Sequence, residues 1–358
     1  MKERAELPKA LIEHLPWQNE TNPIWPATTF LIRRNLSKHL FPAKCSEAQA
    51  QQTLEIIRNA LFGSPELDSP ILLKAEELTP LDKEFLFEHF LCSESFQNTL
   101  AGQAFAVEKS SSLLAIVGIG DHLQLQLLDG TGDWEKAWNR LYAIEASLGQ
   151  TLDYAYQPRF GYLTSDFSLC GTGLIVQAYL HVPALIHSGQ LQETLIKQKD
   201  EEVAAAGMQG GVDEWIGDLL VLTNRFTLGV TEENISHALT STAMRLVIAE
   251  RTLRSRLKEQ GGDEMKDQIS RAYGLLMHSY QLQTKEALGA LSLIKLGADL
   301  GWISGIAQGK LNEAFFRCRR AHLTYAQQDP HMDAQEIHRR RAAFLHKELQ
   351  GASLLTDA

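Results

Sequence analysis

The sequence predicts an α+β fold, with short strands and amphipathic helices mixed over most of the chain and an almost wholly helical last part. Three observations predict it. Leu123-Gln124-Leu125-Gln126-Leu127 alternates strictly, the period of a strand with one face buried. Trp134, Trp138, Leu141 and Leu148 fall on one helical stripe directly after it. From Thr231 onward nearly everything is helical in period. The regular βαβ alternation of a doubly wound parallel sheet is absent.

Taken in order, residues 16–30 are rich in Pro, Asn and Trp and read as an extended lead-in, because each proline biases its predecessor away from the helix. Ser46 and Gln49 have capping-box spacing, and Leu54, Ile57 and Leu61 continue on one face of a helix. Thr79-Pro80-Leu81-Asp82 opens a second helix with proline in its first turn. Strand patterns follow at Ala104–Val107, Leu113–Val117 and 123–127, closed by a turn at Asp129-Gly130, and again at 174–182 and 216–223. A long amphipathic helix runs through Ile235, Leu239, Leu246 and Val247 to Arg256, and Gly261-Gly262 breaks it. Helices are expected at about 264–283, 284–299, 309–327 and 334–349. The expected organisation is an N-terminal extension 1–23, a main domain 24–260 and a helical domain 261–358.

The 358 residues are 44% hydrophobic and 22% charged, the composition of a chain that buries a core. The charged start Met1–Glu6 lacks a following apolar run, and no later stretch is long and apolar enough to span a bilayer, so a cytoplasmic protein without membrane association is expected. Cys45, Cys92, Cys170 and Cys318 lie too far apart for zinc-ribbon or finger spacing and read as reduced thiols, with no metal expected. A net charge of −10 argues against a broad nucleic-acid footprint. The local basic runs, Arg317, Arg319, Arg320 and His338–Arg341, read first as solvated helix faces. No GxxxxGK[ST], HExxH or GxSxG occurs. Gly171-Thr172-Gly173 reads as a tight turn before it reads as an anion nest. His122, alone at the head of a strand, reads as a satisfied side chain before it reads as an acid or base.

Three segments carry a more specific signal: Arg159-Phe160-Gly161-Tyr162-Leu163-Thr164-Ser165, Cys170-Gly171-Thr172-Gly173-Leu174 and His181-Val182-Pro183-Ala184-Leu185. Together they resemble the GYLT…GTGLR…HLPAL signature of the ATP:guanido phosphotransferases. Arg34-Asn35, Asp121-His122-Leu123, Thr223–Gly229 and Ala272–Leu276 follow in the family's order. The absence of the N-terminal helical domain of metabolic phosphagen kinases and the helical C-terminus both resemble the McsB-type protein-arginine kinases. The resemblance implies a guanido-kinase-like antiparallel sheet flanked by helices, followed by an all-helical C-terminal domain.

The same resemblance implies a degenerate site. The two phosphate-gripping arginines of the early SxRxRxxRN motif fall on Thr29 and Leu31, with Arg34 retained. In the NEEDHxR motif the carboxylate base falls on Gly120 and the next phosphate arginine on Gln124, with Asp121 and His122 retained. The active-site cysteine aligns with Asp166, the arginine after GTGL with Ile175, the last phosphate arginine with Ala206 and the second substrate carboxylate with Gly211. No catalytic residue and no cofactor are then expected, Mg-ATP being bound only if other cations replace those lost. The phosphoarginine-reading RDxxRA motif falls on Ile337–Ala342, leaving Arg339, Arg340 and Arg341 as candidate contacts to phosphoarginine or a partner. The family also implies a homodimer and a McsA-like zinc-binding activator protein as partners. The expected function is a pseudokinase acting as a regulatory, scaffold or phosphoprotein-binding subunit, with an active protein-arginine kinase of rearranged site as the alternative.

Overall fold

The computed structural model describes residues 6–15, 22–198, 200–208, 210–211, 214–327, 329 and 332–355. In chain order its elements are α1 (Lys9–Glu13), β1 (Ala27–Arg34), α2 (Glu47–Gly63), β2 (Ile71–Lys74), α3 (Pro80–His89), β3 (Ala104–Val107), β4 (Leu113–Val117), β5 (Leu123–Asp129), α4 (Trp134–Gly149), β6 (Tyr156–Gln157), β7 (Gly161–Tyr162), β8 (Leu174–His181), α5 (Pro183–His187), α6 (Leu191–Lys197), β9 (Val203–Gly207), β10 (Leu219–Asn224), α7 (Glu232–Gln260), α8 (Asp263–His278), α9 (Thr284–Leu300), β11 (Ile303–Ser304), α10 (Gln308–Arg317), α11 (Arg320–Gln327), α12 (Ala334–Glu348) and β12 (Ser353–Leu354). Eight strands form one sheet in the order β2-β3-β4-β5-β1-β8-β10-β9. This is the α+β architecture that the sequence predicts, with helices flanking the sheet and filling the C-terminal part.

The chain divides into two compact units, one built from Ala27–Gln177 and Thr223–Leu239 with α1, the other from Ala178–Leu222 and the chain after Thr240. In the first, β1 pairs antiparallel with β5 and sets Thr29 against Leu128, Leu31 against Gln126 and Arg33 against Gln124. Alternation places Thr29, Leu31 and Arg33 on one face of the sheet and Phe30, Ile32 and Arg34 on the other. Helix α4 covers the latter face, with the Phe30 and Trp138 rings 6.1 Å apart. The predicted capping box of Ser46 with Gln49 is present, and the helix predicted to open at Thr79 carries a second one, Thr79 with Asp82.

Several expectations are corrected. Residues 27–30 of the supposed lead-in begin a buried strand rather than an extended connection, their Thr-Thr-Phe content suiting a pleated interior better than Pro23 and Pro26 suggest. Residues 16–21 of that stretch lie outside the described residues. Strand β5 is buried along its whole length rather than on one face. Gln124 and Gln126 tolerate this because their amides donate to the carbonyls of Ile119 and Phe90, at 2.5 and 2.6 Å. Phe96 meanwhile packs on Phe105 of the same face, ring centroids 4.8 Å apart.

In the second unit, α7 ends at Gln260 and α8 begins at Asp263, so Gly261-Gly262 is the break that the sequence predicts. The helix expected over 264–283 stops at His278, where Ser279 turns extended. The one expected over 309–327 is two helices, because the Cys318 carbonyl is given to Arg341, whose Nε donates to it at 2.6 Å. Among the described residues no helix is long and apolar enough to cross a membrane, and no group of three or more His, Cys, Asp or Glu side chains could hold a metal ion.

This unit contains a buried ammonium. Lys295 of α9 donates to Asn312 Oδ1 at 2.7 Å, and burial, reinforced by the Arg254 charge, pushes its pKa down to about 7. The unfolded chain holds that proton up to about pH 10.5, so between these values it binds more protons than the folded chain and stability rises with pH. Lys295→Met should remove this rise, flattening the stability gain between neutral and alkaline pH by on the order of 2–4 kcal/mol in urea denaturation. An unchanged slope would mean that the folded protein keeps Lys295 charged.

Candidate active site

The residues retained from the family pattern are all held by the fold itself. Arg34 is 4% exposed. Its Nε donates to Glu145 Oε1 at 2.7 Å, and its Nη1 donates to the carbonyls of Arg33 and Thr172 at 2.8 and 2.9 Å. The guanidinium carbon stands 3.5 Å from the centre of the Tyr162 ring. Gly173 permits this approach: its φ is +62°, and a Cβ there would lie 3.1 Å from Arg34 Nη1 and 2.8 Å from the Arg33 carbonyl.

His122 accepts the Leu36 amide at Nδ1, 3.1 Å away, and its Nε2 lies 2.8 Å from the Leu40 carbonyl, which makes Nε2 the protonated nitrogen. Burial pushes its pKa below the ordinary value. Both ring nitrogens are thus committed to backbone. Asp121 accepts the Asn35 side-chain amide and the Ser165 amide, each at 2.6 Å. These contacts tie the end of β1 to the turn before β5 and to the Leu163–Ser165 segment.

The face that the resemblance assigns to nucleotide phosphates is neutral at the implied positions. Thr29 donates to Gln177 Oε1 at 3.3 Å, and the Gln177 amide donates to Thr223 Oγ1 at 3.4 Å. Leu31 is buried and apolar, Ile175 is half-buried, and Gln124 is turned back onto Ile119. Arg33, opposite Gln124 and left unassigned by the family motif, puts a cation on this face. Its Nη2 lies 3.2 Å from Glu94 and its Nη1 3.5 Å from Asp121, while its buried Nε makes no hydrogen bond. Glu94 is 61 residues away in the chain, so sequence motifs carry no trace of this pair.

At the implied base position, Gly120 has φ +68°. A Cβ there would lie 3.2 Å from Gln124 Nε2 and 3.9 Å from Arg33 Nη1. Restoring a carboxylate therefore forces a side chain into a left-handed turn. Asp166, at the cysteine position, caps the turn Phe167–Leu169 through the hydroxyl and amide of Ser168, at 2.7 and 2.9 Å. Those two bonds hold its carboxyl below the usual carboxylate range, so an exposed negative charge stands there.

In the second unit, Ala206 is half-buried near the end of β9 and Gly211 closes a tight turn, its carbonyl accepting the Gly207 amide at 2.7 Å. Gln209 of this loop lies outside the described residues. Glu214, which no motif flagged, has Oε2 3.9 Å from where a Gly211 Cβ would stand and pairs through Oε1 with Lys285. Of the C-terminal arginines, Arg339 and Arg340 both pair with Glu336, at 3.6 and 2.6 Å. Arg341 corrects the solvated-face expectation: it is 1% exposed and donates to the carbonyls of Cys318 and Leu282.

Comparison with known proteins agrees with the fold. The model of the ATP:guanido phosphotransferase C-terminal catalytic domain matches residues 53–253, and that of the protein-arginine kinase McsB C-terminal domain matches residues 262–357. The chain belongs to the ATP:guanido phosphotransferase family and, within it, to the McsB-type protein-arginine kinases. A protein-arginine kinase of Chlamydia pneumoniae is 36% identical over 354 residues, covering 97% of this chain and 98% of that protein. One from Chlamydia muridarum is 34% identical over 306 residues, 85% of each. Among solved structures, the duplicated taurocyamine kinase from Schistosoma mansoni with bound transition state analog components has a TM-score of 0.58 at 20% identity, covering 67% of this chain and 35% of that one. Lombricine kinase has a TM-score of 0.55 at 17% identity, covering 71% and 73%. These structures share the fold.

The bonds of Arg34 predict a stability role separate from any ligand. Arg34→Ala leaves the Glu145 carboxylate buried without its partner and should cost about 3–5 kcal/mol in urea denaturation. A variant of parental stability would show that the fold does not need this pair.

Proposed function

We propose that this chain is a McsB-like pseudokinase, a family member that neither binds ATP nor transfers phosphate and serves as a regulatory, scaffold or phosphoprotein-binding subunit. One observation carries the reading: the implied phosphate face holds a neutral Thr29–Gln177–Thr223 chain, Leu31, Ile175 and a folded-back Gln124, while its arginine, Arg33, is already engaged by carboxylates. Phosphoryl transfer is catalysed mainly by positioning and by electrostatic stabilisation of the transferred group. Five absent charge-assisted contacts at roughly 1.5–3 kcal/mol each forgo on the order of 8–15 kcal/mol, as much as a micromolar nucleotide's whole affinity of about 8 kcal/mol or more. The partners on this reading are a second copy of the chain and a McsA-like zinc-binding activator, in the cytoplasm.

A second reading, an ATP-dependent protein-arginine kinase with a rearranged site, draws on two side chains. Arg33 lies opposite Gln124, where the resemblance implies a phosphate arginine, and Glu214 lies beside Gly211, where it implies a carboxylate, so two of the implied losses have a neighbour of the lost charge. The full-length match to the protein-arginine kinase of Chlamydia pneumoniae supports it too.

Thermal denaturation with Mg-ATP separates the two. A ligand of the native state raises stability by about 2.7 kcal/mol at a hundredfold excess over Kd, so the pseudokinase reading expects no saturable shift with Mg-ATP. It also expects no acid-labile phosphoarginine on protein substrates by mass spectrometry, with or without an activator. A saturable shift accompanied by phosphoarginine, both lost in Arg33→Ala, would establish the rearranged kinase instead.

A further inference from the structure

A second polar site lies on the first unit, built by the chain that leaves α4. Gly149, Thr151, Asp153, Tyr154, Tyr156 and Tyr162 line an open cleft of ≈ 550 Å³. Three of its features favour the same kind of ligand.

The first is aromatic. The Tyr162 ring meets Tyr156 edge-on at 5.4 Å and Tyr154 at 6.1 Å, so three π-systems converge, with Tyr156 59% exposed. Burial raises the pKa of Tyr154 and of Tyr162, which keeps both rings neutral phenols with their quadrupoles intact. The buried Arg34 guanidinium, balanced by Glu145, stacks on Tyr162 and lies 5.8 Å over Tyr154, so the exposed Tyr156 ring is the π-face that the cleft offers to a ligand. The second is the C-terminal end of α4, a 16-residue helix whose last carbonyls carry the negative end of its dipole. The third is Asp153, an exposed carboxylate that the Ser37 hydroxyl holds below the usual carboxylate range. Lys38 reaches Asp153 at 3.6 Å, but that pair is solvent-exposed on both sides and water and salt compete with it.

We propose that this tyrosine-lined cleft binds a cationic side chain, arginine or lysine, presented by a partner protein. The Tyr156 ring, the helix end and the Asp153 carboxylate each attract positive charge, and an open cleft suits a side chain projecting from a protein surface. The site is separate from the phosphate face and does not depend on whether the chain transfers phosphate.

Titration of the full-length chain with N-acetyl-arginine amide, N-acetyl-lysine amide and the neutral isostere N-acetyl-citrulline amide, followed by amide NMR shifts, tests it. Saturable shifts at residues 149–162 are expected for the two cations, with the citrulline compound at least about fivefold weaker. Tyr156→Phe should bind within about twofold of the parent because the ring remains, whereas Tyr156→Leu should weaken binding roughly two- to fivefold. Asp153→Asn should weaken binding and reduce its salt dependence, and Lys38→Ala should tighten it by removing the competing cation. Tyr156 is exposed enough for these variants to fold, which circular dichroism checks. Equal binding of citrulline, an unaffected Tyr156→Leu variant, shifts mapping elsewhere, or no saturable response up to about 50 mM would each overturn the proposal.

Discussion

The first unit depends on one buried knot of polar groups around Asn35. Its amide donates to Asp121 and to the Leu163 carbonyl, its side-chain oxygen accepts the His122 amide, and its own carbonyl accepts the Ala155 amide. His122 in turn accepts from Leu36 and meets the Leu40 carbonyl, and Asp121 accepts from Ser165. Three chain stretches far apart in sequence, around residues 35–40, 121–122 and 155–165, thereby share one set of satisfied donors and acceptors. A buried network of this kind is stable only when complete, because a single missing partner leaves a desolvated group behind.

That requirement explains which motif residues this chain has kept. Arg34, Asn35, Asp121 and His122 each complete a bond that the interior cannot leave unmade. Positions whose role the resemblance gives wholly to a ligand had no such duty, and Thr29, Leu31, Gln124 and Ile175 stand there with their needs met inside the protein or with none. Arg341 shows the same logic in the second unit, where a guanidinium closes the break between α10 and α11 rather than facing solvent. Retained arginines here are therefore first of all hydrogen-bond hubs, and motif matching alone does not distinguish a hub from an anion ligand.

Much of the fold was legible because its signals are local. The capping box at Ser46, the helix start at Thr79, the Gly261-Gly262 break and the 3.6-residue stripe of α4 each act within a few residues, and all are found. What could not be read depends on distant chain. Gln124 and Gln126 looked like the wet side of a half-buried strand, and only the Phe90–Phe96 segment, folded over that face, makes them interior. Strand β1 hid behind the prolines that precede it. In the candidate site, the resemblance assigns Gly120, Ile175 and Ala206 their positions through glycine and apolar landmarks beside them. It gives no sign of the Arg33–Glu94 contact or the place of Glu214, since pairing across 61 residues leaves no periodicity to detect.

A face lined by several cations is costly to the empty protein, since like charges held close repel and each loses hydration when the sheet folds. A nucleotide relieves that cost, so the stability of such a fold becomes coupled to its ligand. Neutral threonine, glutamine, leucine and isoleucine at those positions remove the self-repulsion and pack without an occupant. Arg33, a guanidinium on that face, is balanced by Glu94 and Asp121 from the same unit. On the proposed reading, the substitutions that abolish nucleotide binding are the same ones that let this sheet stand without a nucleotide. Ligand independence of that sort suits a subunit whose work is to be bound rather than to turn over.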